Sequence, residues 1–572
     1  MANQNFKSES KQGKETKSFR KPGNKPNFQR KSKPSDERGM VLSTLKDAYH
    51  MASSSNDVTW YTRIPALAKI AASIPFHISA GTKAYFSRME PAKIFPGIMA
   101  FRMSPTIGQS TDSRSSVNMA AHTLWVNLRR DKSNYAVYEA SDLMIMYISV
   151  IELFSYIEYL KRVYATNYRS PFDNRYVPHA LLYAMGVDYD DLNDNIADFR
   201  YGLNKLIVDA SRFSVPTALA YADREMFLYK SIYIEGSSGK DQLYLYVPDA
   251  FYKFAYENST GTYLSMCEMV DFPYTKPGAK RATVKELLKY GRDLIEFLDG
   301  NETVGIMNAD TRNFFGPENI RKLGLLEEAG QLDIAFNISV LEQMKNAKII
   351  RFHNITGGQE THHNNITQTI GPIDKVNYLT SQPELEVVAA TLSGIVDGVP
   401  FYEPYLGNTI IDTTSKDVDE ALVLENTRLA PSVYAVTNQS GKDQLYINGS
   451  ADYCTGCSIM SYNAVSNPTV PNEMFQFEIE GMYVYTGNQA DAYWALTYPK
   501  FLNLMTTIDL VSKFQFHPFM WIVTVNEANN GWNYPELIGD VDNFALIPYD
   551  QLNNLHDACL QSLFFIGTTN LQ

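Results

Sequence analysis

The stretch 134-NYAVYEASDLMIMYISVIELFSYIEYLKR-162 decides the fold. Between Leu143 and Ile157 it is apolar nearly all the way round, with isolated acids at Asp142, Glu152 and Glu158. A surface helix carries a single apolar stripe, so a helix apolar on most sides must be enclosed by its neighbours. The stretch therefore predicts one buried central helix with a helical body packed around it. Its apolar run stops at Glu152, short of the roughly 18 uninterrupted residues that span a bilayer, so no membrane partner is expected.

Flanking segments supply the rest of that body. From Leu192 to Ala210 the residues Leu192, Ile196, Phe199, Leu203, Leu206, Ile207 and Ala210 recur at helical spacing, after Asp190 and Asp191 and before Pro216. Thr283-Val-Lys-Glu286 is a capping box opening a helix through Leu298 that stops at Gly300. A further amphipathic helix is expected from Asp333 to Lys345. One interruption is read within this helical part, a hairpin in "SIYIEGSSGKDQLYLYVP" from Ser231 to Val247.

The heptamer SGKDQLY occurs twice, at Ser238–Tyr244 and Ser440–Tyr446. A phosphate loop needs a second Gly five positions before its Gly-Lys pair and Ser or Thr after it; Asp follows Lys in both copies, so both read as hairpin turns. From about Arg351 to Tyr498 the chain turns polar and turn-rich, ending in the hairpin-like "MFQFEIEGMYVYTGN". Helical texture returns near Tyr498, followed by the strand-like "FMWIVTV" and a helix in "PYDQLNNLHDACLQSLFF". The expected division is an arm at 1–45, a helical domain at 46–345, a β-rich insert at 346–499 that projects from it, and a return to the helical domain at 500–572. The fold class is thus a predominantly α-helical domain with a β-rich (α+β) protruding domain and a disordered basic N-terminal arm.

Charge is segregated along the chain. The net charge is −12, yet residues 1–40 carry +7, which leaves −19 for the remainder. The arm cations Lys7, Lys11, Lys14, Lys17, Arg20, Lys21, Lys25, Arg30, Lys31, Lys33 and Arg38 lie among Ser, Asn, Gln, Gly and Pro. Such a segment cannot bury enough apolar surface to fold alone. Phosphate is its natural partner, because neutralising phosphates releases counterions without reading sequence. A solubilising or localising tail has the same composition, and the segment alone does not choose. Phe19 and Phe28 suit stacking on unpaired bases or docking on a protein wall. The arm is tethered through residues 41–58, which include a Ser-rich hinge at 53–55 next to Asn56-Asp57, where Asn cyclisation would release it.

Candidate chemistry is sparse. Cys454-Thr-Gly-Cys457 has metal or redox spacing, with His353, His362 and His363 in the same segment, but no second pair completes a zinc set and the motif is read as a turn. Cys267 and Cys559 read as small packed hydrophobes. Four cysteines in 572 residues make no disulfide framework, and the first twenty residues lack a signal-peptide core, which predicts a reducing, cytosolic setting. The sequons at Asn354 and Asn365 read as chance matches in loops. No G-x-S-x-G, H-E-x-x-H or complete phosphate loop occurs, so neither an enzyme nor a cofactor is expected.

Five segments carry a likeness: "NDVTWYTRIPALAKIAASIPF" (56–76), "PGIMAFRMSPTIGQS" (96–110), "SVNMAAHTLWVNLRRDKSNYAVYEASDLMIMY" (116–147), "NRYVPHALLYAMGVDYDDLNDNIADFRYGLN" (174–204) and "VPTALAYADREMFLYKSIYIE" (215–235). Over roughly the first 260 residues the chain resembles the capsid proteins of picobirnaviruses. The resemblance implies a shell domain and a protruding domain, intertwined homodimers closing into an icosahedral particle around double-stranded RNA and polymerase, and no catalytic site. It implies a place in the virion, with assembly in the host cytoplasm. The arm matches by position while its residues do not map one to one. Two other readings remain: a non-assembling cytosolic RNA-binding protein with an acidic interaction body, and an enzyme using Cys454 and Cys457.

Overall fold

The computed structural model describes residues 56–74, 77–80, 97–130, 138–168, 176–238, 241–257, 261–267, 279–328, 332–349, 360–362, 365–373, 408–437, 439, 443–462, 474–479, 482–486, 508–526, 531–538 and 541–566. The basic arm and the Ser-rich hinge lie outside them. The chain enters through a 3-10 turn, Val58–Trp60, and α1 (Pro65–Ala68), then β1 (His77–Ala80) and β2 (Ile98–Pro105). Helices follow: α2 (Ser116–Arg129), α3 (Ala140–Tyr168), α4 (Tyr176–Ala184), α5 (Tyr189–Asp194), α6 (Ile196–Ala210) and α7 (Ala220–Phe227). Next come β3 (Ser231–Ile234), β4 (Leu243–Pro248), β5 (Phe251–Glu257) and β6 (Gly261–Cys267). After α8 (Val284–Asp299) and α9 (Glu302–Phe315) run β7 (Asp333–Ala335) and α10 (Ile338–Lys345).

The middle of the chain holds β8 (Glu360–His362), β9 (Asn365–Thr367), β10 (Ile370–Ile373), β11 (Asn408–Thr413) and α11 (Glu420–Asn426). It continues with β12 (Ser432–Thr437), β13 (Asp443–Asn448), β14 (Asp452–Tyr462), β15 (Met474–Ile479) and β16 (Met482–Thr486). Last are β17 (Met520–Asn526), β18 (Gly531–Ile538), β19 (Val541–Pro548) and α12 (Tyr549–Leu563).

The predicted central helix is α3, and it is longer than its apolar run. Ala140–Asn167 is long and apolar enough to cross a membrane, but 94% of its apolar window is buried inside the protein. It packs against α2, α4, α6, α7, α8 and β5. Each fully buried Leu, Ile or Phe on it stabilises the fold by about 1.5–3 kcal/mol. Three of its tyrosines bond to neighbours: the Tyr147 hydroxyl bonds to Thr311, the Tyr156 hydroxyl donates to the Leu287 carbonyl and the Tyr159 hydroxyl to the Met185 carbonyl. Arg162 donates to the Ser231 and Tyr246 carbonyls at 3.1 and 2.7 Å, tying the helix to two adjacent strands.

The helix expected over Leu192–Ala210 is divided at Asn195 into α5 and α6. Asn195 leaves helical geometry (φ −115°, ψ 23°), and both its backbone amide, at 3.0 Å, and its side-chain amide, at 2.8 Å, donate to the Asp191 carbonyl. The apolar stripe survives, with Leu192, Phe199, Leu203, Leu206, Ile207 and Ala210 all buried. The capping box at Thr283 and Glu286 forms as expected and opens α8. The segment Asp333–Lys345 differs: its first residues form β7, parallel to β3, and the helix starts only after Asn337 caps it.

Both heptamers lie in antiparallel hairpins whose second strands are central in their sheets, while residues 239–240 and 440–442 lie outside the described residues. Tyr233 pairs with Tyr244 across β3 and β4, and Val433 with Ile447 across β12 and β13. In the first copy the Asp241 carboxylate accepts from the Ser238 amide at 2.7 Å, closing the turn. The sheet orders are β15-β14-β2-β4-β3-β7, β5-β6-β8-β9, β1-β19-β11, β10-β13-β12 and β16-β17-β18. The helical part thus contains more strand than its single expected interruption. β2 is buried along its whole length, so its sequence shows no alternation to mark it as a strand.

The hairpin expected in "MFQFEIEGMYVYTGN" is not formed. β15 joins β14 antiparallel, whereas β16 runs parallel to β17 in another sheet. Strands β8, β9, β11, β14 and β15, all from residues 346–499, complete sheets whose other strands come from outside that span. Cys454, Cys457, Ile459 and Ile479 accordingly share one hydrophobic core with α3.

Candidate functional sites

All eleven arm cations lie outside the described residues. The described chain begins at Asn56, which is 7% exposed. Its side-chain carbonyl accepts from the Tyr61 hydroxyl at 3.0 Å, and the Asp57 carboxylate caps the turn by accepting from the Thr59 amide at 2.9 Å. Cyclisation at Asn56 needs a mobile chain, and both neighbouring side chains are held here.

Below Tyr61 lies a buried ionic cluster. Arg224 on α7 grips Asp452 at the start of β14 with two bonds, 2.9 Å from Nη2 and 3.3 Å from Nε, and donates to Gln343 on α10 at 3.3 Å. Both charged side chains are 1% exposed. The guanidinium groups of Arg224 and Arg428 sit 5.9 and 5.8 Å from the Tyr61 ring centroid, within cation–π range. Burial outweighs these cations and raises the Tyr61 hydroxyl pKa. The point from which the arm departs is therefore bolted to α7, α10 and β14.

Two more carboxyl groups lie near the same cluster. Burial pushes Glu152 on α3 well above the usual carboxylate range, and the Tyr252 backbone opposes it only in part. Burial, then the charges of Asp452 and Glu152, do the same to Glu225, against the pull of Arg224. In both, burial favours the protonated form. They face the core rather than a cavity, so they lack the access to solvent or substrate that acid–base catalysis requires.

A second polar network joins α10, β11 and α11. Glu342, fully buried, accepts from the Thr413 hydroxyl at 3.0 Å, the Thr414 amide at 2.8 Å and the Asn426 amide at 3.0 Å. Asn346 mimics a strand neighbour, donating to the Asp412 carbonyl at 2.8 Å and accepting from its amide at 2.7 Å. Lys345 forms an ion pair with Asp412. Buried polar networks of this kind favour one packing arrangement.

The Cys454-Thr-Gly-Cys457 motif lies in strand β14, between β2 and β15, and not in a turn. A register irregularity between Cys454 and Gly456 puts Cys454 opposite Met103 and Cys457 opposite Phe101, so both face one side of the sheet. Residues two ladder positions apart on one face are about 6.6 Å apart, too far for Cβ atoms to approach to disulfide distance. Burial pushes the Cys454 thiol up to about 12, which removes the thiolate that redox or metal chemistry needs. His362 lies on β8 in another sheet, while His353 and His363 fall outside the described residues. Gly456 serves packing: Arg102 on β2 crosses over it to pair with Glu478 on β15, with one bond of 2.9 Å.

Cys267 and Cys559 are buried. The sequon residue Asn365 starts a paired strand and is not in a loop, and Asn354 is outside the described residues. A cleft of about 400 Å³ opens between the ends of α6, α8 and α9. Asp299 is its only carboxylate and is engaged by Arg212 at 2.7 Å; the lining includes no His or Cys. Among the described residues no three His, Cys, Asp or Glu side chains are grouped to hold a metal ion.

Comparison with known proteins decides the class. The family model described as "Picobirnavirus, Capsid protein" matches residues 60–530. The chain belongs to the picobirnavirus capsid protein family. This is a family of structural virion proteins and not an enzyme class. A capsid protein precursor of human picobirnavirus is 26% identical over 309 residues, covering 52% of this chain. The chain thus matches 55% of the length of that curated relative. A crystal structure of the picobirnavirus capsid superposes with a TM-score of 0.65 at 19% identity, covering 90% of this chain and 99% of the other, which establishes a shared fold. The picobirnavirus capsid fold thus extends well past residue 260, where the sequence likeness stops being readable by eye.

Proposed function

We propose that this capsid protein self-assembles, as homodimers that close into an icosahedral shell, around a double-stranded RNA genome. The observation that carries the reading is the family match across residues 60–530. The arm, through Lys7, Lys11, Lys14, Lys17, Arg20, Lys21, Lys25, Arg30, Lys31, Lys33 and Arg38, contacts RNA phosphates without regard to sequence. Its +7 on a remainder of −19 supports this, because a shell wall that repels RNA leaves the arm as the one attractive contact. The polymerase is enclosed with the genome, and assembly takes place in the host cytoplasm. The shell and protruding parts divide near residues 346 and 499, with β8, β9, β11, β14 and β15 counted with the sheets that they complete.

The test is expression of the full chain followed by negative-stain microscopy. Closed particles are expected; a monodisperse monomer at high concentration overturns the reading. Deleting residues 1–40 is expected to lower encapsidated RNA while particles still form. Loss of particles instead would make the arm a structural element.

A further inference from the structure

Three carboxyl groups and the Arg224 guanidinium are shut into one region of the core. Glu225 follows Arg224 on α7, Glu152 lies on α3, which packs along α7, and Asp452 opens β14. All four side chains are buried. Arg224 donates through Nε and Nη2 to Asp452 and through Nη1 to Gln343, so its charge is already taken. Arg162 and Arg428, the other fully buried guanidinium groups of this region, donate to carbonyl and hydroxyl oxygens. Oε1 of Glu225 has no hydrogen-bond partner among the described residues, and Glu152 has the Tyr252 backbone beside its carboxyl. A carboxyl so placed is tolerated while neutral and costly once charged.

The surrounding groups supply no further positive charge. Tyr221 on α7, Tyr229 just past it, Tyr61 from the entering turn, and Tyr233 and Tyr246 from β3 and β4 face the cluster with hydroxyls that burial raises and so holds neutral. Tyr252 faces it from β5. On α12, burial raises the Cys559 thiol to about 11, and burial with Arg428 keeps the His556 ring neutral. Glu152 and Glu225, if ionised, stand near Asp452 with Arg224 already engaged.

The cover over this cluster is slight. Residues 56–61 form a single 3-10 turn, and the backbone amides of Trp60, Tyr61 and Thr62 bond within the segment, to the Asp57 and Val58 carbonyls. Side chains hold it down: Trp60 meets Phe227 of α7 with ring centroids 5.1 Å apart, and Tyr61 lies over Arg224 and Arg428 with Gln343 at its hydroxyl. A short piece held in this way opens at lower cost than the core beneath it.

We propose that residues 56–61 are a proton-gated latch on the arm's root, seated on α7 while Glu152 and Glu225 carry protons and lifting from it when they ionise. Lifting admits water, and a glutamate in water releases its proton from about pH 4.3 upward. Each proton released makes lifting about tenfold easier per pH unit. The seat is therefore firmest in acid and loosens as pH rises toward the raised values of the closed state. The latch is a property of the single chain and does not rest on the assembly reading.

The test is amide hydrogen exchange on the full chain between pH 5 and 9, corrected for the intrinsic rate at each pH and read by mass spectrometry on peptides covering residues 56–64. Protection there is expected to fall about tenfold per pH unit for each glutamate that ionises. Glu225→Gln and Glu152→Gln, which keep the shape and remove the proton, are each expected to lessen that slope, and the double variant to flatten it. Peptides covering residues 284–299, in α8, report unfolding of the core and are expected to stay more protected throughout. A flat slope in the wild-type chain overturns the proposal, and so does a slope that neither single variant changes. Equal protection in the two regions also overturns it, because the turn then opens only together with the core.

Discussion

Arg224 and Asp452, 228 residues apart in sequence, form a two-pronged ion pair from which solvent is excluded. The pair fastens α7 to the first residue of β14, and the same guanidinium reaches Gln343 and lies near the Tyr61 ring. Removing one partner leaves a buried charge alone, which costs about 3–5 kcal/mol. Arg224→Met and Asp452→Leu singly are therefore expected to lower the urea midpoint sharply. The double variant is expected to regain most of the loss, and a double variant no better than the singles would refute the pairing as the cause.

Two glycines give opposite outcomes on replacement by alanine. A Cβ at Gly456 would run into the Arg102 guanidinium and Glu478 carboxylate that meet above it, whereas at Gly305, on α9, it meets nothing. Gly456→Ala is expected to destabilise by about 1–3 kcal/mol. Gly305→Ala is expected to stabilise by about 0.5–1 kcal/mol, as alanine does within a helix. Denaturant titration of both measures the difference.

Glu152 and Glu225 make folding less favourable as the solution becomes more basic. Each keeps its proton when folded and releases it from about pH 4.3 upward when unfolded, so stability falls with rising pH through that window toward the raised folded value. Glu152→Gln keeps the shape and abolishes the titration. It is expected to raise stability by at least about 1 kcal/mol at pH 8 and by little at pH 4, since a tenfold difference in proton affinity between the folded and unfolded chains is worth about 1.4 kcal/mol. Equal effects at both pH values would refute the protonation argument.

His556 acts at the acid end. It is fully buried on α12, with Nε2 3.1 Å from the Ala430 carbonyl, and burial with Arg428 nearby holds the ring neutral well below its usual range. The unfolded chain takes up a proton below about pH 6.5 while the folded chain does not, so stability is full above that pH and declines by about 1.4 kcal/mol per pH unit below it. His556→Gln is expected to flatten this slope in melts recorded between pH 4.5 and 7.

How much was legible follows from the range of each signal. The α3 helix, the Thr283 capping box, the pairing of both heptamer hairpins and α12 were readable because periodicity, caps and turn residues act within a few positions. β2 and the break at Asn195 were not, since one is buried on both faces and the other is a change of backbone angles at a single residue. The Cys454–Cys457 motif was misplaced because its Thr-Gly pair looks like a turn, although the glycine is there to pass the Arg102–Glu478 pair.

By itself the amino-acid sequence determined the buried central helix, the two-sign charge layout, the lack of catalytic motifs and the family likeness of the first 260 residues. These depend on composition and on neighbours along the chain. Only the tertiary structure decided that β14 and β15, from a segment expected to project, close a sheet on β2 within the main core. Strand partners are chosen by long-range backbone bonds and shared burial, and neither leaves a mark at fixed spacing.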